Sequence, residues 1–326
     1  MRLWLAAVSA LLLAGQPALA ANPQDLKACG GARDPDAVIA ACTRVVDDKA
    51  QDAHARGGGL FFRAFAREKK KDIDGAIADL SEAIKIDPQP GSAYSSRGRI
   101  YHQAGDDEKA FADMNAAIRS WPSAALFYVE RGGFYLDKNR YDFAIDDFTT
   151  AIQIKPDYAD AYWQRGEANA AATRRGRAIA DYTEVIRLEP NGPRGYAARG
   201  DLYQAQSDHD LAIADFSEVV RLDSKAYGIF HVRGNVYRDK SEYDRAIADY
   251  TESLRIMPDN AIVLHDRGVA HRLKGDRERA IADFREVVRI APLGSTQSLN
   301  ELAALGVSAP KTAPEALKQG VLDLLK

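Results

Sequence analysis

Apolar and small residues recur at helical spacing within residues 92–122. Three of them, separated by four and then three positions, share one face of a first helix: Tyr94, Gly98 and Tyr101. Three more define the face of a second helix: Ala110, Met114 and Ala117. Gly105 between them suits the left-handed conformation that closes a helix. Pro122 ends the second helix because it lacks an amide hydrogen. The pattern predicts a helical hairpin.

The hairpin recurs with a period of 34 residues. Residues 178–190 read AIADYTEVIRLEP, and residues 246–258 read AIADYTESLRIMP. The period is carried by Pro88, Pro122, Pro156, Pro190, Pro258 and Pro292, by Ala76, Ala110, Ala144, Ala178, Ala212, Ala246 and Ala280, and by Gly98, Gly132, Gly166, Gly200, Gly234 and Gly268. Such a period indicates a helix-turn-helix solenoid. Since glycine costs about 1 kcal/mol relative to alanine inside a helix, we expect the partner helix to approach too closely for a Cβ.

Two further positions of each repeat hold large apolar residues, mostly aromatic. The first holds Leu60, Tyr94, Tyr128, Tyr162, Tyr196, Phe230 and Leu264, and the second holds Leu80, Met114, Phe148, Tyr182, Phe216, Tyr250 and Phe284. With the small, alanine and proline positions, these residues resemble the tetratricopeptide repeat (TPR) family from about Gln51 to Pro292. The resemblance implies an all-α fold, a right-handed α-solenoid of about seven helix-turn-helix repeats with helical caps. Local departures predict looser packing at the edges: Ala64 replaces the glycine, and Arg67, Asn169 and His271 replace the tyrosine.

Every repeat also carries an arginine just before the small residue and an aspartate sixteen positions later. The arginines are Arg63, Arg97, Arg131, Arg165, Arg199, Arg233 and Arg267, and the aspartates are Asp79, Asp113, Asp147, Asp181, Asp215, Asp249 and Asp283. In an antiparallel hairpin the two side chains lie at the same level. We therefore expect structural ion pairs, such as Arg165 with Asp181. The alternatives are pairing between neighbouring repeats, with Asp181 reaching Arg199, and a row of ligand-binding charges.

The N-terminal residues have the features of an exported protein. Residues 1–20 combine Arg2, an apolar core and a small-residue site ending at Ala20, so we expect a signal peptide and a periplasmic or secreted mature chain. Residues 21–50 are expected to form a cap containing a lone second helix. Cys29 and Cys42 lie in this segment, and in an oxidising compartment they are a candidate disulfide. Two buried thiols or a metal pair are the alternatives.

The C-terminal residues 293–326 depart from the repeat. Leu299, Leu302 and Leu305 lie at helical spacing and predict a capping helix over the last repeat. The sequence SAPKTAP that follows is expected to be a linker, and residues 314–326 a terminal helix.

Composition and charge narrow the function classes. The 326 residues carry a net charge of -3, which gives no support to nucleic-acid binding. No later segment is apolar enough for membrane insertion, and no phosphate loop, nucleophile elbow or zinc pattern occurs, so neither a cofactor nor a metal is expected. The alternative from another class is a metal-dependent binder or enzyme that uses His231 and His265, which share one repeat position.

By the resemblance, the first helices line a concave groove. Candidate groove residues are Phe61, Phe65, Arg99, Trp163, Glu167, Asp201, His231, Asn235, Arg238, His265 and Arg272. Phe61 and Phe65 either face a partner or are covered by the N-terminal cap. Some family members hold a peptide's terminal carboxylate with Lys and Asn at this place, so the two phenylalanines give no support to that carboxylate clamp here. The sequence thus predicts an exported, non-enzymatic TPR scaffold that binds an unidentified protein or peptide. A self-assembling solenoid is a third alternative.

Overall fold

The computed structural model describes residues 23–308, and these form α-helices with one short 3-10 turn and no strand. The chain divides into an N-terminal half, residues 1–168, and a C-terminal half, residues 169–326. Each half is described by itself. The predicted signal peptide lies outside the described residues, as do most of the linker and the whole terminal helix. None of the described helices has both the length and the apolar character needed to cross a membrane.

The helices are numbered here in chain order. The first ten are α1 (Pro23–Gly31), α2 (Pro35–Asp47), α3 (Ala53–Lys69), α4 (Ile73–Ile86), α5 (Gly91–Gln103), α6 (Asp107–Ser120), α7 (Ala125–Asp137), α8 (Tyr141–Ile154), α9 (Ala159–Ala171) and α10 (Arg175–Leu188). The others are α11 (Pro193–Ala205), α12 (His209–Leu222), α13 (Tyr227–Asp239), α14 (Tyr243–Ile256), α15 (Ala261–Lys274), α16 (Arg277–Ile290) and α17 (Thr296–Ala304). The boundary between the halves falls within α9.

Helices α3 to α16 form seven successive pairs, here called repeats 1 to 7, each with a first and a second helix. Within each half, the two helices of a pair pack together, and the second helix also packs on the first helix of the following pair. This nearest-neighbour packing is that of an all-α solenoid and confirms the predicted fold class.

The core of each repeat is made from the recurring small and aromatic positions. The repeated alanines of the second helices are fully buried, as are Phe148, Phe216 and Phe284. A Cβ built on Gly132 would lie 2.6 Å from the Phe148 ring, and one on Gly234 would lie 2.7 Å from the Tyr250 ring. Glycine is therefore retained because the helices approach too closely for a side chain, as predicted.

Every turn between the paired helices contains one residue with positive φ at the same repeat position. These residues are Lys71, Gly105, Asn139, Thr173, Ser207, Ser241 and Gly275, with φ between 58° and 91°. The sequence predicted this conformation only at Gly105. The amide of this residue and the next amide bond back to carbonyls of the first helix, as Asn139 N to Leu136 O and Arg140 N to Tyr135 O do at 2.9 and 2.8 Å. These bonds hold the left-handed residue in place.

A disulfide-bonded helix pair covers the start of repeat 1. Cys29 in α1 and Cys42 in α2 are bonded, with their Cα atoms 4.7 Å apart. Both are buried with Ala41 and Val45, and Phe62 of α3 packs against this cluster. The disulfide thus lies inside the contact between the cap and the first repeat.

Helix α17 covers the other end of the stack, in the C-terminal half. Leu299 and Leu302 are buried against Phe284 and Val288, while Leu305 is partly buried at the same cluster. Exposed apolar surface on the last repeat is thereby removed.

Candidate functional site

The repeated charges form ion pairs inside their own repeats. In six described repeats, the arginine Nη2 lies 2.6–2.8 Å from an aspartate Oδ1, and Nε donates to the other oxygen. The pairs are Arg63–Asp79, Arg97–Asp113, Arg131–Asp147, Arg199–Asp215, Arg233–Asp249 and Arg267–Asp283. The aspartate side chains are 5–9% exposed. Arg165 with Asp181 would join residues on either side of the boundary between the halves, and that pairing stays a prediction.

Each arginine also reaches the preceding second helix, which sequence reasoning missed. Its Nη1 donates to a hydroxyl or amide oxygen located two positions after the aspartate of the preceding repeat. These acceptors are Ser81, Asn115, Thr149, Thr183, Ser217 and Thr251. In repeat 1 the acceptor is Thr43 of α2, so the cap takes the place of a preceding second helix. The regular spacing of these polar residues was the available signal.

The arginine and its two partners are here called the clamp. The hydrogen bond with Asp249 raises the pKa of Arg233 above its ordinary value, because it favours the charged guanidinium. All three guanidinium nitrogens have partners within the protein. This pairing supports the prediction of structural ion pairs over that of a row of ligand-binding charges.

Two of the residues that replace the tyrosine also join this network. Arg67 Nη1 lies 3.0 Å from Asp79 Oδ2, so this aspartate pairs with two arginines. Asn169 donates to Asp181 at 2.9 Å. His271 is buried, and burial lowers its pKa.

The two candidate phenylalanines of repeat 1 have different surroundings. Phe61 is partly buried against the core of repeat 1, and it is Phe62 that packs on the cap cluster. Phe65 is 48% exposed, with Lys69 Nζ 4.7 Å from its ring centre. The alternative in which the cap covers both candidate phenylalanines is therefore wrong for Phe65.

Polar contacts between neighbouring first helices follow in the N-terminal half. Arg99 of α5 makes two hydrogen bonds with Glu68 of α3, at 2.7 and 2.9 Å. Ser95 donates a hydrogen bond to Glu130 of α7. Trp163 is partly buried and Glu167 is exposed, both on α9. Sequence reasoning missed both Glu68 and Glu130.

In the C-terminal half, the candidate charges are likewise paired. His231 Nε2 lies 2.6 Å from Asp266, and Arg238 lies 3.1 Å from the same carboxylate. Arg272 pairs with Glu301 at 2.8 Å. The candidate cations Arg238 and Arg272 are thus paired with acids of neighbouring helices, Asp266 and Glu301, which the sequence analysis did not single out.

The remaining candidates of this half lie among neutral or separate contacts. Asn235 accepts a hydrogen bond from Tyr250 at 2.8 Å, and His265 Nδ1 lies 2.8 Å from the Ser298 hydroxyl. Burial lowers the pKa of His265 and raises that of Asp201. His231 and His265 thus have separate partners, and residues 23–308 contain no group of three His, Cys, Asp or Glu side chains arranged to hold a metal.

Comparison with solved structures shows the same fold in two proteins of low identity, and a third, MamA, has a lower score. YrrB, titled a TPR protein with an unusual peptide-binding site, is 17% identical over 58% of this chain and 96% of its own, with a TM-score of 0.52. A tetratricopeptide repeat protein from Parabacteroides merdae is 16% identical over 82% of this chain and 98% of its own, also at 0.52. MamA is 19% identical over 55% of this chain and 93% of its own, at 0.49.

Family models identify the repeat directly. A model described as TPR repeat matches residues 132–172 and 234–275. Two models described as tetratricopeptide repeat match residues 66–125 and 159–227, and residues 261–292. No curated protein gave a significant match. With the seven helix pairs and their shared core positions, these matches show that the chain belongs to the tetratricopeptide repeat family.

Proposed function

We propose that the chain is a non-enzymatic TPR scaffold that binds a protein or peptide segment on the face formed by its first helices. The observation that carries the proposal is how the recurring residues are used. Repeated glycines, alanines and aromatics fill the core, and the described repeated charges form clamps. Side chains that differ between repeats remain on the first helices, from Phe65 and Arg99 to His231 and Arg272. Within each half, a surface varied in this way suits recognition of a protein or peptide segment.

We further propose that the scaffold is exported. The signal-like sequence of residues 1–20 supports this, and so does the Cys29–Cys42 disulfide, since disulfides persist in oxidising compartments. Expression of the full chain in a bacterial host, followed by mass analysis of the periplasmic fraction, tests it. We expect a mature chain that begins at Ala21. An unprocessed chain confined to the cytoplasm contradicts export.

A photoreactive phenylalanine analogue tests the binding face. It replaces Phe65, which is 48% exposed on a first helix, or Phe143, which is 50% exposed on a second helix and serves as a matched control. We expect cross-links to a discrete partner in cell extract from position 65 and not from position 143. Equal cross-linking from both positions, or from position 143 alone, contradicts the proposal. A stoichiometric metal lost in His231→Ala favours the metal-dependent alternative instead.

A further inference from the structure

Glu130 differs from the other acids described on the first helices of the N-terminal half. It lies on α7 next to α5, where its carboxylate accepts a hydrogen bond from the Ser95 hydroxyl. The residue is only partly exposed, and burial raises the pKa of its carboxyl, although Ser95 and the charge of Arg99 oppose the shift. A carboxylate in such a place is stable only if the surroundings supply compensation.

Arg99 on the facing helix α5 already forms an ion pair with another acid. Arg99 binds Glu68 through both terminal nitrogens, and this pair is itself partly buried. Tyr158, which is close enough to respond to the charge of Glu130, supplies no positive charge. Burial and the charges of Asp160 and Glu130 raise the pKa of Tyr158 to about 12, so this phenol is neutral at ordinary pH. Among the contacts described here, Glu130 thus has one hydroxyl donor and the charge of an arginine that is hydrogen-bonded to another acid.

Three other acids near the contact between α5 and its neighbouring helices have a cation or a histidine ring nitrogen close by. Asp137 lies 3.0 Å from His102 Nε2, and Asp107 binds Lys138. Glu68 has the whole guanidinium of Arg99. None of the ion pairs described between residues 23 and 308 includes Glu130, in contrast to these acids. An ammonium group could approach from the solvent side, because the residue is not closed off.

We propose that Glu130 receives a lysine side chain of the segment bound on the first-helix face. The inference rests on the function proposed above and specifies its chemistry. Ser95 donates to the carboxylate, and both terminal nitrogens of Arg99 stay hydrogen-bonded to Glu68. The incoming ammonium completes the charge balance between α5 and α7. The recognised partner is therefore a basic segment, and an acidic one is repelled.

Binding of synthetic peptides tests the inference. The probe is a short peptide of alternating lysine and alanine, acetylated at its N-terminus and amidated at its C-terminus. One comparison peptide carries acetyl-lysine in place of lysine. The other contains only alanine and has a free α-amine. Titration uses wild type, Glu130→Gln and Glu82→Gln. Glu82 is an exposed acid on the second helix α4, so its change removes the same charge elsewhere. We expect Glu130→Gln to bind the lysine peptide about tenfold or more weakly and Glu82→Gln to bind it like wild type.

A stability measurement separates recognition from a structural role. A carboxylate withdrawn from water destabilises the folded state unless a positive charge compensates it. Glu130→Gln removes that cost, so the variant should unfold at an equal or higher denaturant midpoint at neutral pH. A clear loss of stability would mean that Glu130 is an internal structural partner and would overturn the inference. Equal losses of affinity in both variants, or binding of the acetyl-lysine or the free-amine peptide in preference to the lysine peptide, would also overturn it. So would no lysine-peptide binding to wild type.

The two proposals can fail separately. If Glu130→Gln leaves both the lysine-peptide affinity and the Phe65 cross-link intact, the lysine inference is wrong and the binding face stands. If position 65 yields no discrete cross-link in wild type, the binding face itself is wrong.

Discussion

At the scale of single residues, the repeated ion pairs are buried, whereas other ion pairs on the same helices are exposed. In the Arg233–Asp249 pair the side chains are 15% and 9% exposed, and Arg233 also donates to Ser217. Arg255 and Glu252, on α14 with Asp249, form a pair whose side chains are 65% and 45% exposed. Removing one member of a buried pair leaves an uncompensated charge, whereas exposed pairs contribute little.

We therefore expect Arg233→Ala or Asp249→Ala to lower the free energy of unfolding by about 3 kcal/mol, and Arg255→Ala or Glu252→Ala by less than about 0.5 kcal/mol. A double-mutant cycle on each pair, measured by denaturant unfolding, should give a coupling well above 0.5 kcal/mol only for Arg233 and Asp249. Small and additive effects at the buried pair would show that the clamp does not hold the repeat together.

Glycine substitutions at the left-handed turn residues should instead raise the free energy of unfolding. Thr173 and Ser207 have φ of 60° and 63°, a region that costs a residue with a Cβ about 1–2 kcal/mol. Thr173→Gly and Ser207→Gly should each raise the free energy of unfolding by up to about 1 kcal/mol, because relief of strain exceeds the added entropy of the unfolded chain. Gly105→Ala, at φ 80°, is the control and should destabilise. Destabilisation by the two glycine substitutions would contradict this account.

At the scale of elements, helices outside the seven repeats pack on the first and the last repeat. Helix α1 has only nine residues, and a disulfide joins it to α2 where Phe62 of α3 packs. Helix α2 also supplies Thr43 to the first clamp, so the cap continues the arrangement of a second helix. Its contribution depends on α1 and α2 staying together, which the disulfide ensures.

Loss of the disulfide should therefore loosen the cap first. For a loop of this size we expect the Cys29→Ser/Cys42→Ser double variant to lose about 3 kcal/mol in the stability of the cap region. Hydrogen exchange should rise in α1 and α2 and at the start of α3, with little change in α7 and α8. Intact-mass analysis with and without reductant checks the starting state. Two freely alkylated thiols in the non-reduced mature protein would contradict the premise.

For the molecule as a whole, stability is distributed along the repeats, because each contacts only its neighbours. Leu302 of α17 is fully buried against the last repeat, whereas Leu293 in the preceding turn is 86% exposed. Leu302→Ala should cost about 2–5 kcal/mol locally, and Leu293→Ala should have almost no effect. Hydrogen exchange should increase in α15 and α16 and change little in α11 and α12. A uniform increase across the C-terminal half would indicate global cooperativity instead.

Much of the fold follows from local sequence. Residues 92–122 alone define the faces of two helices, and their recurrence determines the period, the helix pairs and the glycine contacts. The spacing of Arg131 and Asp147 across a short turn also brings the two side chains together, since both lie at similar distances from that turn. These features depend on helical periodicity and backbone preference, which one repeat contains.

Only the tertiary structure decided which side chains meet between repeats. Asn115 as the third member of a clamp, Asp266 shared by His231 and Arg238, and Glu130 without a committed cation all depend on how neighbouring hairpins pack. The positive φ of Thr173 runs against the preference of a β-branched residue and accompanies closure of the turn, where the amides of Thr173 and Arg174 bond back to the first helix. The sequence determined the repeated scaffold because its pattern is local. Packing between repeats decided the surface because those contacts join residues of different repeats, 16 to 35 positions apart.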